Sequence, residues 1–220
     1  SLVREGHLVS IDTYKPAVAA AALEAGAAIV NDISGLTRGT GAAEAAAKAG
    51  AGYVLNYSYS EPKRRPDAPP AYTDVVAETA AWMFDHVARL REAGLADDTI
   101  AIDPGIAFGK SHDEDLQVLR RLGEFTALGR PLLIAHSRKN FIGSIAGNAP
   151  PDRDLATKAM DKPAIASRLV FIHPEGPNGA GHDTDRTRDA LHAGRGWHAD
   201  PGGAPGAWLG DLRVHHPGLD

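Results

Sequence analysis

Short apolar runs that each end in polar residues recur along the first 140 residues of the chain. The clearest is Ile100-Ala101-Ile102, which is followed by Asp103 and stopped by Pro104-Gly105. A run that is apolar at every position is typical of a strand buried on both faces of a parallel sheet. Because the sites of α/β folds lie at the carboxyl ends of parallel strands, the pattern predicts a polar site at one edge of the sheet. Three further runs have the same design: Val9-Ser10-Ile11 before Asp12, Ala28-Ile29-Val30 before Asn31, and Leu132-Leu133-Ile134, which leads through His136 to Lys139.

Helix-forming segments separate these strands. Alanine content favours the first helix, and apolar residues three and four apart favour the third. Strands that alternate with helices imply parallel, right-handed βαβ units. Five strands fall between Leu8 and about Gly147, whereas a TIM barrel needs eight and typically about 250 residues, so five are too few for closure. We predict helices over residues 15–26, 42–49, 72–93 and 113–125, and further strands over residues 52–57 and 170–172.

The last fifty residues differ in composition from the rest of the chain. Residues 171–220 hold 10 of the 24 glycines and 6 of the 10 histidines, together with five prolines. Such a segment buries too little apolar surface to offset its conformational entropy. We therefore divide the chain into a partial α/β barrel over residues 1–170 and an irregular or disordered tail over residues 171–220.

Composition and charge narrow the class of protein. Hydrophobic residues make up 43% of the chain and charged residues 23%, as in an ordinary globular domain. The net charge of −5 gives no indication of nucleic-acid binding, and no apolar run approaches the roughly 20 residues of a membrane span. Without cysteine the chain has neither disulfides nor Cys-based zinc sites. It begins with Ser1 rather than methionine, from which we expect the sequence to be incomplete at its N-terminus.

Four sequence blocks follow the predicted strands. They are Ser10-Ile11-Asp12-Thr13-Tyr14-Lys15, Asn31-Asp32-Ile33, Asp103-Pro104-Gly105-Ile106-Ala107-Phe108-Gly109-Lys110 and Ser137-Arg138-Lys139-Asn140-Phe141-Ile142-Gly143. In this order and at this spacing, the four blocks together resemble the dihydropteroate synthase family. The Ser-Arg-Lys block is the most discriminating, because it is similar to these synthases rather than to methyltetrahydrofolate methyltransferases.

The resemblance implies a pterin-binding TIM-barrel fold, here partial, and a transferase of folate biosynthesis. Such an enzyme condenses 6-hydroxymethyl-7,8-dihydropterin pyrophosphate with p-aminobenzoate, giving 7,8-dihydropteroate and pyrophosphate with help from Mg²⁺. It also implies a cytoplasmic protein that binds small molecules, neither nucleic acid nor membrane, and is a candidate homodimer. The similarity is expected to fade after about residue 150.

The resemblance also assigns roles to single residues. Asp103 would accept two neighbouring N–H groups of the pterin, and Asn31 would add an amide. Lys139 would donate to the pterin carbonyl. Asp12 would favour the positive charge that develops as pyrophosphate leaves. Asp12 and Lys139 are thus the expected catalytic residues.

The same resemblance places two more residues at the second substrate. Phe108, with Lys110, would belong to the loop that closes over p-aminobenzoate, and Arg138 would give electrostatic support there. No metal ligand is assigned, because the family's Asn-Val-Thr-Pro-Asp-Ser-Phe segment has no counterpart in this sequence.

Each of the four blocks also has a purely structural interpretation, as an alternative to a role in binding. Asp103 before Pro-Gly is also typical of a turn. Asn31-Asp32 and Asp12-Thr13 could each cap a helix, and residues 137–139 could form a solvated loop.

At several positions the sequence departs from the family's pattern, and these differences bear on the activity of the chain. The family's Met-His pair at the third strand is Leu55-Asn56, a family glycine is Ala107, and Arg213-Val214-His215 echoes the family's last strand. The absence of the family's Asn-Val-Thr-Pro-Asp-Ser-Phe segment favours an inactive fragment. Two alternatives remain: a non-catalytic pterin-binding homologue, and an enzyme like the methyltetrahydrofolate methyltransferases.

Overall fold

The computed structural model describes residues 3–4, 6–62, 70–135, 139, 142–143 and 147, and the backbone of two further strands. Strands and helices alternate through the described part, as predicted. The strands are β1 (Val9–Asp12), β2 (Ile29–Asp32), β3 (Gly52–Asn56), β4 (Ile100–Asp103), β5 (Leu132–Ile134), β6 (Leu169–Phe171) and β7 (Arg213–His215). The helices are α1 (Pro16–Glu24), α2 (Gly41–Ala49), α3 (Val75–Glu92), α4 (His112–Arg120) and α5 (Leu122–Phe125).

All seven strands form one parallel sheet in the order β6-β5-β4-β3-β2-β1-β7. From β1 to β6 each strand lies beside its predecessor in the chain, as the strands of a TIM barrel do. The five strands predicted between Leu8 and Gly147 are confirmed. Strand β7 pairs with β1 and lies within the segment predicted to be irregular. Residues 172–212 lie outside the described residues, and their predicted irregularity stays a prediction.

Strands β2 to β5 bury apolar side chains on both faces of the sheet, which explains their uninterrupted hydrophobic runs. On one face, strand residues such as Val30, Leu55 and Ile102 join the large core that includes the helices. A smaller cluster occupies the other face and contains Ile29, Val54, Ala101 and Leu133, each at most 3% exposed. We call this second surface the inner face.

Capping residues fix where two helices begin. Asp74 accepts hydrogen bonds from the N–H groups of Val76 and Ala77 at 3.0 and 3.1 Å, so α3 starts at Val75 rather than at residue 72. Ser111 and Glu114 form a capping box at the start of α4. The predicted helix over residues 113–125 is two helices, because the backbone leaves the helical conformation at Arg121.

Arg121 also ties the start of α3 to the region between α4 and α5. Its two terminal nitrogens donate to the two Asp74 oxygens at 2.9 and 3.0 Å. These hydrogen bonds lower the pKa of Asp74 to about 2.

Among the described residues, no helix combines the length and the apolar character needed to cross a membrane.

The Arg121 contact predicts an acid-dependent contribution to stability. The variant Asp74→Asn keeps a capping oxygen but loses the ion pair, so its urea midpoint should lie below that of the wild type at pH 5. Because the folded-state pKa of Asp74 is lowered, the contribution is present above its ordinary pKa and is lost as pH falls through about 2. The difference between the two midpoints should therefore vanish towards pH 2. Asp85→Asn, on the exposed side of α3, is the control and should show no such trend.

Candidate functional site

Polar residues at the carboxyl ends of β1 to β4 lie on the inner face. In the register, Asp12 lies beside Asn31, and Asn56 lies beside Asp103. Side chains alternate along a strand, so Asn56 and Asp103 share the face of Val54 and Ala101, two residues earlier. Asn31 pairs with Val54 and so shares that face too. The predicted convergence of Asp12, Asn31 and Asp103 is present in the structure.

Asn56 belongs to this group but was not predicted as a site residue. Its side chain is 2% exposed and its amide donates to the carbonyl of Tyr57 at 2.7 Å. Its position in the sequence could have identified it, because Asn56 is the polar residue that ends the apolar run of β3, as Asp103 ends that of β4.

Asn31 is buried with an unused acceptor. Its side chain is 8% exposed, and its Oδ1 atom has no hydrogen-bond partner within the described structure. The hydroxyl of Ser10, on the same face one strand over, is likewise buried and unpartnered. A buried polar atom without a partner costs roughly 1–3 kcal/mol. Both atoms are therefore candidates for hydrogen bonds with a ligand.

Asp103 is held at the end of β4 by its own turn. Its carboxylate is 3% exposed, and its Oδ1 atom accepts the N–H of Gly105 at 2.8 Å. Its backbone carbonyl accepts the N–H of Tyr57 at 2.7 Å. The turn interpretation of Asp103 is correct, and it is compatible with a role in binding because the turn fixes the carboxylate at the inner edge.

Lys139 meets the loop that follows β4. Its ammonium donates to the carbonyl of Ile106 and lies 4.7 Å from the centre of the Phe108 ring. Burial lowers the pKa of Lys139, and the negative charges of Asp103 and Asp115 oppose that shift. The structure thus brings together Lys139 and Phe108, within electrostatic range of Asp103. Arg138 lies outside the described residues.

Asp115 supports this loop and was missed from the sequence. Its Oδ1 atom accepts the N–H of Ala107 at 2.8 Å, while its Oδ2 atom is buried without a partner in the described region. Burial raises the pKa of Asp115 to about 6. Three acidic residues, Asp113, Glu114 and Asp115, lie in the first turn of α4. The residue pattern does not indicate which of them points inward, and only the packing shows that it is Asp115.

Lys110 lies in the same loop after β4, and its side chain packs against that loop. Its ammonium lies 3.6 Å from the centre of the Tyr57 ring. It donates to the carbonyls of Pro104 at 2.9 Å and Gly105 at 3.3 Å. Burial lowers the pKa of Lys110 to about 7.

The two helix-cap interpretations are wrong. Asp32 faces the helices, where it accepts the N–H of Ser34 at 2.7 Å and the hydroxyl of Tyr53 at 2.5 Å. Helix α2 begins only at Gly41. Before α1, the Thr13 hydroxyl accepts the N–H of Lys15 at 3.1 Å, but no side chain caps that helix.

Comparison with known proteins gives the family. The family model described as "Pterin binding enzyme" matches residues 1–170. The dihydropteroate synthase of Mycobacterium leprae is 38% identical over 208 residues, which cover 91% of this chain and 70% of that protein. The Escherichia coli K12 synthase is 39% identical over 145 residues, covering 66% of this chain and 51% of that protein. The chain thus spans about half of one curated relative and more of the other.

Solved structures agree with the sequence comparison. Dihydropteroate synthase from Stenotrophomonas maltophilia, solved with imidazole in its active site, has a TM-score of 0.73 at 36% identity, over 84% of this chain and 67% of that one. The Xanthomonas albilineans synthase in complex with 7,8-dihydropteroate has a TM-score of 0.70 at 33% identity, over 84% and 65%.

The extent of the match differs between comparisons: the family model ends at residue 170, the Escherichia coli match covers 66% of the chain, and the Mycobacterium leprae match covers 91%. The family model, the relatives and the solved structures all agree with the parallel α/β fold described above. The chain belongs to the pterin-binding enzyme family and, within it, to the dihydropteroate synthases.

Proposed function

We propose that this chain binds 6-hydroxymethyl-7,8-dihydropterin pyrophosphate and takes part in its condensation with p-aminobenzoate to 7,8-dihydropteroate and pyrophosphate. The observation that carries the proposal is the presence of two buried acceptors on the inner face, the Asp103 carboxylate on β4 and the unpartnered Asn31 oxygen on β2. The Xanthomonas albilineans relative, solved with 7,8-dihydropteroate, supports it.

The acceptors match the chemistry of a pterin ring. A pterin edge presents N–H donors side by side, and one carboxylate accepts two of them at once. Asp103 is 3% exposed, so its hydrogen bonds to a ligand form away from water, where they are stronger. Asn31 adds a further acceptor, and Lys139 supplies a donor for the pterin carbonyl after leaving the carbonyl of Ile106.

The reaction replaces one bond at the methylene carbon of the pterin. The amine nitrogen of p-aminobenzoate forms a C–N bond, the C–O bond to pyrophosphate breaks, and the amine loses a proton. Positive charge develops on the pterin as pyrophosphate leaves, and the carboxylate of Asp12, beside Asn31 in the register, favours that charge. Phe108 offers an apolar surface to the ring of p-aminobenzoate.

Magnesium, a homodimer and a cytoplasmic location complete the proposal, all implied by family resemblance. Among the described residues no group of three or more acidic or histidine side chains could hold a metal ion by itself. Mg²⁺ is commonly held by one or two carboxylates together with substrate phosphates. The described residues by themselves do not form a metal site, so we derive no step through the metal. Binding of the pterin is the property that they predict directly.

The variant Asp103→Asn tests pterin recognition. The asparagine carbonyl can still accept the Gly105 N–H, but its amide cannot accept two N–H groups from the ligand. Losing a charged hydrogen bond costs about 1.5–3 kcal/mol, so we expect roughly 10- to 100-fold weaker binding of a pterin pyrophosphate analogue by calorimetry. Asp113→Asn, on the exposed side of α4, should bind as the wild type does. Equal affinity of Asp103→Asn and wild type would contradict the proposal.

The variant Asn31→Leu separates a binding role from a structural one. It removes the unpartnered oxygen at similar volume, so the urea midpoint should stay the same or rise, because a buried unsatisfied group costs roughly 1–3 kcal/mol. Pterin affinity should fall at the same time. Loss of stability with unchanged affinity would mean that Asn31 is a structural residue.

A further inference from the structure

One peptide group connects Lys110 to the carboxylate of Asp103. The carbonyl of Pro104 and the N–H of Gly105 belong to the same peptide unit. Lys110 donates to that carbonyl at 2.9 Å, and the N–H on the opposite side donates to Asp103 Oδ1 at 2.8 Å. Because a peptide group is planar and rigid, fixing its oxygen also fixes the direction of its N–H.

The ammonium acts on this peptide electrostatically as well as sterically. A cation at the carbonyl oxygen polarises the peptide, and hydrogen bonds in such a chain strengthen one another. The N–H of Gly105 becomes a better donor to Asp103, and the carboxylate is held in one orientation. Lys110 also donates to the carbonyl of Gly105 at 3.3 Å, which holds the second residue of the turn.

Tyr57 keeps Lys110 and the turn together. Its ring lies under the ammonium, and its N–H donates to the carbonyl of Asp103 at 2.7 Å. Gly105 has a φ of +69°, and a Cβ atom there would lie 2.2 Å from the Tyr57 carbonyl oxygen. Tyr57 thus packs closely against both Gly105 and Lys110, and Lys110 is only 9% exposed.

We propose that Lys110 is a positioning residue that orients the Asp103 carboxylate for the pterin through the Pro104–Gly105 peptide group. This inference rests on the proposed function, in which Asp103 binds the pterin. Lys110 itself contacts no substrate, because its ammonium lies beneath the turn against Tyr57. Its removal should weaken pterin binding and leave the KM for p-aminobenzoate unchanged.

The protonation of Lys110 gives the proposal a second consequence. The groups that act on its charge are Asp115, Asp103 and Glu114, which favour the ammonium, and Lys139, which disfavours it; burial outweighs them and lowers the pKa of Lys110 to about 7. The charged form therefore dominates below pH 7 and is lost above it. Pterin affinity should therefore fall as pH rises through this range. The fall should equal the contribution that the hydrogen bond from the Lys110 ammonium to the Pro104 carbonyl makes to pterin binding.

A double-mutant cycle tests the positioning role. Calorimetry with a pterin pyrophosphate analogue compares wild type, Lys110→Met, Asp103→Asn and the double variant, at pH 6. Methionine keeps the stem and removes the charge, and Lys48→Met, on the exposed side of α2, is the matched control. We expect Lys110→Met to lose roughly 5-fold in affinity, a loss of about 1 kcal/mol, in the wild-type background and nothing more in the Asp103→Asn background.

Each outcome has a defined meaning. An equal loss in both backgrounds, or no loss in the wild type, overturns the positioning role while leaving the proposed function intact. If Asp103→Asn alone binds normally, the proposed function fails first. If Lys110→Met does not fold, the pH profiles of wild type and Asp103→Asn decide instead. A fall between pH 6 and 8 that only the wild type shows supports the inference, and parallel profiles overturn it.

Discussion

Parallel pairing of β1 to β4 is the constraint on which the candidate site depends. All four strands run in the same direction, so their carboxyl ends lie at one edge, and the register puts Asp12 beside Asn31 and Asn56 beside Asp103. Alternation along each strand then decides which residue faces inward. A slip of one residue in any strand would turn its polar group towards the helices.

The apolar residues that precede these polar residues along β3 and β4 hold this register in place. Val54 and Ala101 are nearly fully buried on the inner face, and Leu55 and Ile102 are equally buried on the helix face. A one-residue slip would exchange the two sets of side chains between differently shaped cores. The hydrophobic packing that stabilises the sheet thereby also specifies the chemistry at its edge.

The loop after β4 compensates for its buried charges within a small volume. The carboxylates of Asp103 and Asp115 counteract the effect of burial on the pKa of Lys110 and of Lys139, and the two ammonium groups counteract it for Asp115. Ala107 adopts a φ of +63°, where an alanine is strained by roughly 1–2 kcal/mol. The hydrogen bond from its N–H to Asp115 helps to hold that conformation. The loop beside the candidate site is thus held by contacts among its own residues and those of α4.

The sequence by itself determined the alternation of strands and helices, the parallel sheet and the edge where polar residues gather. Those features follow from local signals: apolar runs, alanine-rich or amphipathic helical segments, and the Pro-Gly stop after Asp103. Resemblance to the family added roles for Asp12, Asn31, Asp103, Phe108, Arg138 and Lys139, and the structure describes all of these except Arg138. Only the tertiary structure could show that Asn56 joins them, that Asp32 faces the helices, and that Asp115 turns inward while Asp113 is exposed. It alone placed Lys110 beneath the turn. The partners of Lys110 are backbone carbonyls and the ring of Tyr57, just after β3, and the residue pattern gives no indication of either.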